Sequence, residues 1–280
     1  MSFLKNLEIE YQKLVDLGAE KIEIGRTMLN RPIYVFAIGC GYPKIIAQYA
    51  IHAREYITYY LANLHAVTLL KKLSKGEGTI YIIPVVNIDG VALCLDGVDT
   101  ARDYADELLE LNNSNDFSLW KANARGVDLN VNFPALWGTG AKNARHAGAQ
   151  NYIGLCPASE NETRALMGFT NKIKPDLTLS FHSKGEVIFY DFHQPLKQKI
   201  FDKKVAKVVS KSTGYKILPS GKSAGGYKDW CISHGITALT IEVGEDDLTH
   251  PIKPVSLPQI WQKTRTIYDD LLEFYHKKAK

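Results

Sequence analysis

The sequence contains no apolar run long enough to cross a bilayer; its longest apolar stretches are strand-length, which sets aside a membrane-spanning role. It also lacks a signal-peptide core. The opening residues, Met1 to Leu7, are amphipathic, so the chain as written is expected to be cytoplasmic. Cysteine is sparse. Cys40, Cys94, Cys156 and Cys231 show no paired spacing, which excludes a disulfide scaffold and leaves free thiols in a reducing compartment. Excess charge is small as well. The net value of +4, with no dense cationic run before Lys277, Lys278 and Lys280, excludes a nucleic-acid surface. No linker, repeat or low-complexity tract divides the chain, so one domain is expected over residues 1–280.

What is present is a strand-and-helix alternation. Hydrophobic residues make up 45% and charged residues 23%, enough apolar material for a large core. Periodicity predicts helices at 4–17, 56–73, 163–173, 197–213 and 257–275, and strands at 21–24, 33–38, 44–51, 79–86, 176–181, 186–190 and 236–243. The 186–190 strand is expected near a sheet edge. Ser159 with Glu162 suggests a capping box. Asn87 to Gly90 and 220–229 read as a turn and a loop, and acidic 96–117 as a surface excursion with a short helix. The irregular segment 133–157 is long enough to border a substrate cleft. The order of elements indicates an α/β class with crossover connections. His65, inside an all-round apolar helix, reads as a core or partly exposed helix residue and not as a ligand.

Three apolar runs end in ionisable side chains. Lys44 to Ile51 leads into His52, with Glu55 three residues on. Leu177 to Phe181 leads into His182, and Ile236 to Ile241 into Glu242. Open α/β sheets place ligand sites at such C-terminal strand ends. Imidazole and carboxylate are zinc ligands, and a catalytic zinc takes three protein ligands with one position open. His52 and Glu55 therefore need a third partner, for which His182 is the candidate, although a lone histidine is more often structural than metal-bound. A carboxylate at the end of a buried strand, as at Glu242, is costly without a purpose.

Together with Arg125-Gly126-Val127-Asp128-Leu129-Asn130, these segments resemble the M14 (carboxypeptidase A-like) zinc carboxypeptidases, in order and in spacing. Trp120 to Ala124 and Gly225-Gly226-Tyr227-Lys228-Asp229-Trp230 resemble the bacterial branch that cleaves γ-D-glutamyl-diamino acid bonds of peptidoglycan peptides. The resemblance implies a three-layer α/β/α sandwich around a mixed, mainly parallel eight-stranded sheet. It implies one Zn2+ per chain on His52, Glu55 and His182, with Glu242 as general base. It also implies Arg125 as the group that polarises the scissile carbonyl, and Asn130 as a contact of the substrate's terminal carboxylate.

The sequence departs from that pattern at Val131, where the family carries an arginine that pairs with the terminal carboxylate. An apolar side chain cannot replace such a clamp. Either another cation replaces it, with Arg164 and Lys222 as candidates, or the substrate presents no ordinary C-terminus at that point. Lys228 stands where the family's specificity pocket is lined; it either meets an acidic group of the substrate or points to solvent. No tyrosine occurs at 221–223, where animal carboxypeptidases carry a mobile one, and Tyr227 is a candidate for a related part. The expected function is a metallopeptidase acting near the C-terminus of small peptides, with γ-D-glutamyl-diaminopimelate bonds of murein peptides as the expected target. The alternatives are an ordinary carboxypeptidase preferring acidic C-terminal residues and a zinc-retaining, non-catalytic peptide-binding protein.

Overall fold

Strands rich in branched apolar residues make the centre of the molecule, because such side chains pack well on a pleated surface. The computed structural model describes residues 1–74 and 76–279; Lys280 of the cationic tail lies outside them. The strands are β1 (Glu20–Arg26), β2 (Pro32–Gly41), β3 (Lys44–Gln48), β4 (Glu77–Ile83), β5 (Leu177–Ser183), β6 (Val187–Phe189), β7 (Lys216–Ile217) and β8 (Thr237–Val243). They form one eight-stranded sheet in the spatial order β1-β2-β4-β3-β5-β8-β6-β7. The centre, β4-β3-β5-β8, is parallel throughout. β1 and β2 are antiparallel additions on one side; β6 runs against β8 on the other and pairs in parallel with β7. The sheet is thus the mixed one expected, and β6 lies near its edge as expected, one strand in from the two-residue β7.

Helices α1 (Phe3–Asp16), α2 (Ile57–Lys72), α3 (Ile88–Asp96), α4 (Ala105–Asn112), α5 (Asn161–Ile173), α6 (Leu196–Thr213), α7 (Tyr227–Ser233), α8 (Leu257–Thr264) and α9 (Ile267–Ala279) surround the sheet. All positions of β5 are buried, as a parallel strand covered on both faces requires. Phe181 of β5 meets His65 of α2 with ring centroids 5.4 Å apart. His182, the next residue, therefore turns to the opposite face. His65 is a core residue: its Nδ1 lies 2.8 Å from the Tyr49 hydroxyl, and burial pushes its pKa down to about 3. Among the described residues no helix is long and apolar enough to cross a membrane.

Several local expectations are corrected. Asn87 does not start a free turn; its Oδ1 accepts the N–H of Gly90 at 3.0 Å and caps α3. An Asx side chain serves either purpose, so the sequence alone leaves the two alike. The last three residues of 220–229 are helical, because Asp229 Oδ2 accepts the N–H of Gly226 at 3.1 Å and opens α7. The predicted helix 257–275 is two, α8 and α9; near the break the Thr264 hydroxyl donates to the Ile260 carbonyl at 2.9 Å, a bond that bends helices. The capping box is absent. Ser159 Oγ donates instead to Glu160 Oε1 at 2.7 Å, and Glu162 is buried, its carboxyl raised by burial to about 8.

The acidic segment 96–117 is anchored from below. Asp89 of α3 is fully buried and takes Arg31 Nη1 at 2.7 Å and the N–H of Leu29 at 3.1 Å, while Arg31 Nη2 donates to the carbonyl of Thr100. Removing one member of a buried pair leaves the other charge uncompensated, at about 3–5 kcal/mol. Arg31→Met is therefore expected to lower the unfolding free energy by about 3 kcal/mol, read from urea titration of the far-ultraviolet circular dichroism.

Candidate metal centre and adjoining cavity

β3 ends at Gln48, earlier than expected, and the chain continues buried through Tyr49, Ala50 and Ile51 to His52. Backbone bonds from Val86 to Tyr49 and from Asn87 to Ala50 hold this segment in place. His52 then caps a 3-10 turn, Ala53–Glu55. Such a tight turn superimposes side chains three apart, and His52 Nδ1 lies 2.8 Å from Glu55 Oε1. His182, within β5 and not beyond its end, brings its Nδ1 to 3.0 Å from Glu55 Oε2 and 3.1 Å from His52 Nδ1.

These three side chains are 1–5% exposed, and their ligating atoms all lie within 4.8 Å of one another. Two imidazole nitrogens that face each other across a carboxylate make a donor set for a cation. Two nitrogens and one oxygen fit zinc with a position left open. Burial alone would raise the carboxyl of Glu55; the adjacent His52 and His182 outweigh it and hold it well below the usual range. Behind the site, Asp128 Oδ1 lies 3.2 Å from His52 Nε2, and its Oδ2 takes Lys121 Nζ at 2.6 Å. Burial opposes this charge too, but Lys121 and His52 overcome it and lower the Asp128 carboxyl. A carboxylate on the far nitrogen of a ligating imidazole fixes the ring's orientation. Sequence reasoning gave neither Asp128 nor Lys121 a role, although both lie within the segments that carried the resemblance.

Glu242 faces His182 across the β5–β8 register and lines a cavity of about 230 Å³ that Asn130, Gly226, Lys228 and Asp229 also border. Burial, opposed by His182, raises its carboxyl to about 7. Lys228 does not point to solvent. It is 6% exposed, and its Nζ donates to Asp229 Oδ1 at 2.6 Å and to the Asp191 carbonyl at 2.9 Å. Asn130 Oδ1 accepts the N–H of Tyr227 at 3.1 Å. Gly225 permits this close approach of the two loops: its φ is +84°, and a Cβ there would sit 2.7 Å from the Val131 carbonyl oxygen.

Other expected members lie elsewhere. Tyr227 is corrected from a substrate contact to a core residue: it is fully buried, its hydroxyl bonds Thr170 Oγ1 at 2.7 Å, and its ring stacks on Trp230. Arg125 is half exposed with Nε 4.0 Å from Glu160 Oε2, and it borders a separate hollow with Tyr152 and Glu160. Arg164 donates to the carbonyls of Ala158 and Ser159, outside the cavity, and Lys222 is exposed on its loop. Neither therefore fills the position left by Val131.

The zinc carboxypeptidase profile matches residues 1–267. The chain belongs to the M14 zinc carboxypeptidase family. It is 32% identical to gamma-D-glutamyl-L-diamino acid endopeptidase 1 of Lysinibacillus sphaericus over 286 aligned positions, covering 96% of this chain and 69% of that protein. Bovine thrombin-activatable fibrinolysis inhibitor, solved with a tick carboxypeptidase inhibitor, has the same fold at 21% identity. Its TM-score is 0.79, covering 98% of this chain and 96% of that one. Murein-tripeptide amidase MpaA of Escherichia coli O157 also matches in fold, with a TM-score of 0.60, 21% identity and coverage of 92% and 93%. The M14 family uses zinc, and its members are hydrolases.

For this M14 chain, purified protein is expected to carry close to one zinc per chain, and His182→Ala to lose it. Asp128→Asn is expected to retain zinc with affinity lowered about ten- to a hundredfold, measured by competition with a chromogenic chelator.

Proposed function

We propose that the enzyme hydrolyses the γ-D-glutamyl-diaminopimelate amide of small murein-derived peptides. The observation that carries this reading is the pairing of Glu242 and Lys228 in one cavity beside His182. An acid–base group and a buried cation there suit a leaving amino acid with a carboxylate beyond its α-carbon, as in diaminopimelate. The 32% identical relative named for gamma-D-glutamyl-L-diamino acids supports the same class. The free cysteines, with Cys40 and Cys156 exposed, support a reducing compartment and hence cytoplasmic work on such fragments.

In this reading His52, Glu55 and His182 hold the metal. Zinc there would supply Lewis acidity and make water acidic enough to attack near neutral pH. Glu242 takes the proton of the attacking water and delivers it to the departing amine. Arg125, permanently charged and half exposed beside its separate hollow, leaves Glu160 for the developing oxyanion; losing such a donor costs about 3 kcal/mol. Asn130, whose Oδ1 is taken by Tyr227, has its amide nitrogen left for the α-carboxylate of the leaving residue. Lys228 meets the distal carboxylate.

Incubation with L-alanyl-γ-D-glutamyl-diaminopimelate, its lysine counterpart and ordinary peptides with acidic C-termini tests the proposal. Release of diaminopimelate well above the other products is expected. Equal cleavage of the ordinary peptides would replace this reading with an acid-preferring carboxypeptidase, and no turnover of any peptide would favour a binding protein. Glu242→Gln is expected to keep zinc and lower kcat by about 10²–10⁴. Lys228→Met is expected to raise KM for the diaminopimelate peptide about tenfold or more, the effect of losing a charged hydrogen bond of about 1.5–3 kcal/mol, with little change for the lysine peptide.

A further inference from the structure

The outer face of α6 belongs neither to the metal group nor to the Lys228 cavity. This helix buries Asp202, Val205, Ala206 and Val209. At about 100° per residue, Leu196, Lys197, Ile200, Lys203, Lys204 and Lys207 fall together on about a third of the circumference, opposite the buried residues. All six are exposed, Leu196 by 74% and Ile200 by 51%. Asp202, the one acidic residue of the helix, is turned inward to Thr237 and Gln194, so the outer face carries cations and no carboxylate of its own. Lys278 of α9 adds a further charge, its Nζ lying 3.8 Å from the centre of the Phe201 ring. Acids approach only at the margins: Asp191 Oδ2 is 3.7 Å from Lys199 Nζ, and Asp270 and Glu273 share a hollow with Lys211. Among the described residues Lys197, Lys203, Lys204 and Lys207 form no ion pair.

This arrangement is unfavourable for the helix by itself. Lys197 and Lys199 stand near its start, beside the positive end of the backbone dipole, where acids stabilise and none occurs. Lys199 with Lys203, Lys203 with Lys207, and Lys207 with Lys211 are like charges four residues apart, which repel along a helix. An anionic surface laid against this face relieves both effects. A soluble polyanion would satisfy the lysines but leave Leu196 and Ile200, one turn apart on the same face, in water. Lipid headgroups over an acyl layer satisfy both kinds of side chain: the lysines reach the phosphates, and the two aliphatic groups enter beneath them. We propose that the outer face of α6 attaches the protein peripherally to an anionic lipid bilayer. Each lysine near such a surface adds to the attraction, and salt screens it.

Co-sedimentation of the zinc-loaded protein with vesicles tests the proposal, using phosphatidylcholine alone or phosphatidylcholine and phosphatidylglycerol in equal parts. At about 0.1 M salt, partition onto the anionic vesicles is expected to exceed that onto the neutral ones at least about tenfold, and to lose this excess at about 1 M. Combining Lys203→Gln, Lys204→Gln and Lys207→Gln is expected to lower it about tenfold or more. Combining Lys5→Gln, Lys13→Gln and Lys71→Gln, exposed positions on α1 and α2, is expected to leave it within about twofold. Leu196→Ser with Ile200→Ser is expected to lower it about fivefold or more with the salt dependence kept. Unchanged far-ultraviolet circular dichroism checks that each variant is folded. Three outcomes overturn the proposal. Equal partition onto both vesicles leaves a solvated face, equal loss from the two lysine sets leaves only net charge, and binding untouched by the Leu196 and Ile200 changes leaves a site for a soluble polyanion. None of the three bears on the γ-D-glutamyl reading.

Discussion

The candidate metal centre depends on bringing two imidazoles and a carboxylate, from segments more than a hundred residues apart in sequence, to within 4.8 Å of one another in a buried position. Burying such groups is costly unless each is paired or bound to a metal. The sheet makes the meeting possible. β3 and β5 are parallel neighbours with Gln48 opposite Ser180, so both leave the sheet at the same rim. β8 is the next parallel strand, and its register sets Glu242 opposite His182. Parallel strands buried on both faces are hard to slip, because a one-residue shift would send every side chain to the other face. Site geometry is therefore inherited from the register of the core.

The irregular segment above the rim is held differently. It has almost no strand or helix to satisfy its backbone, so side chains do that work. Asp128 accepts from Lys121 Nζ and from the N–H groups of Asn130 and Asn151, besides facing His52. Asn123 Oδ1 accepts from the N–H groups of Arg125 and Val127, and its Nδ2 reaches Glu160 at 2.8 Å. Local bonds of this kind are what Asn and Asp offer in place of regular structure. The same side chains thus shape the loop and face His52 of the candidate metal centre.

This division explains what could be read from the chain and what could not. Apolar runs that stop at His52, His182 and Glu242 were visible, because a buried strand has a compositional edge. The eight strands followed closely, apart from their ends and the two-residue β7. Short helices were lost where one side chain decides between turn and helix, as at Asn87 and Asp229. Roles inside the Gly225–Trp230 segment were not legible. Successive helical residues point about 100° apart, so once Lys228 enters the cavity, Tyr227 must turn into the core. Which of the two goes in depends on the phase of α7, and that is set by contacts with Thr170 and Asn130 from distant segments.

The position of Lys228 also bears on the missing arginine. A bidentate guanidinium at residue 131 would hold a carboxylate in one plane by two bonds; Val131 offers none. Lys228 has three donors, of which Asp229 and the Asp191 carbonyl take two. One donor remains for a ligand, and the charge behind it is offset by Asp229, 2.6 Å away. Such a group recognises an anion by a single directed bond and cannot by itself anchor a peptide. Affinity must then be spread over several weak contacts around the metal. An enzyme built that way gains selectivity from the number of anions its substrate presents at set positions, more than from the strength of any one contact.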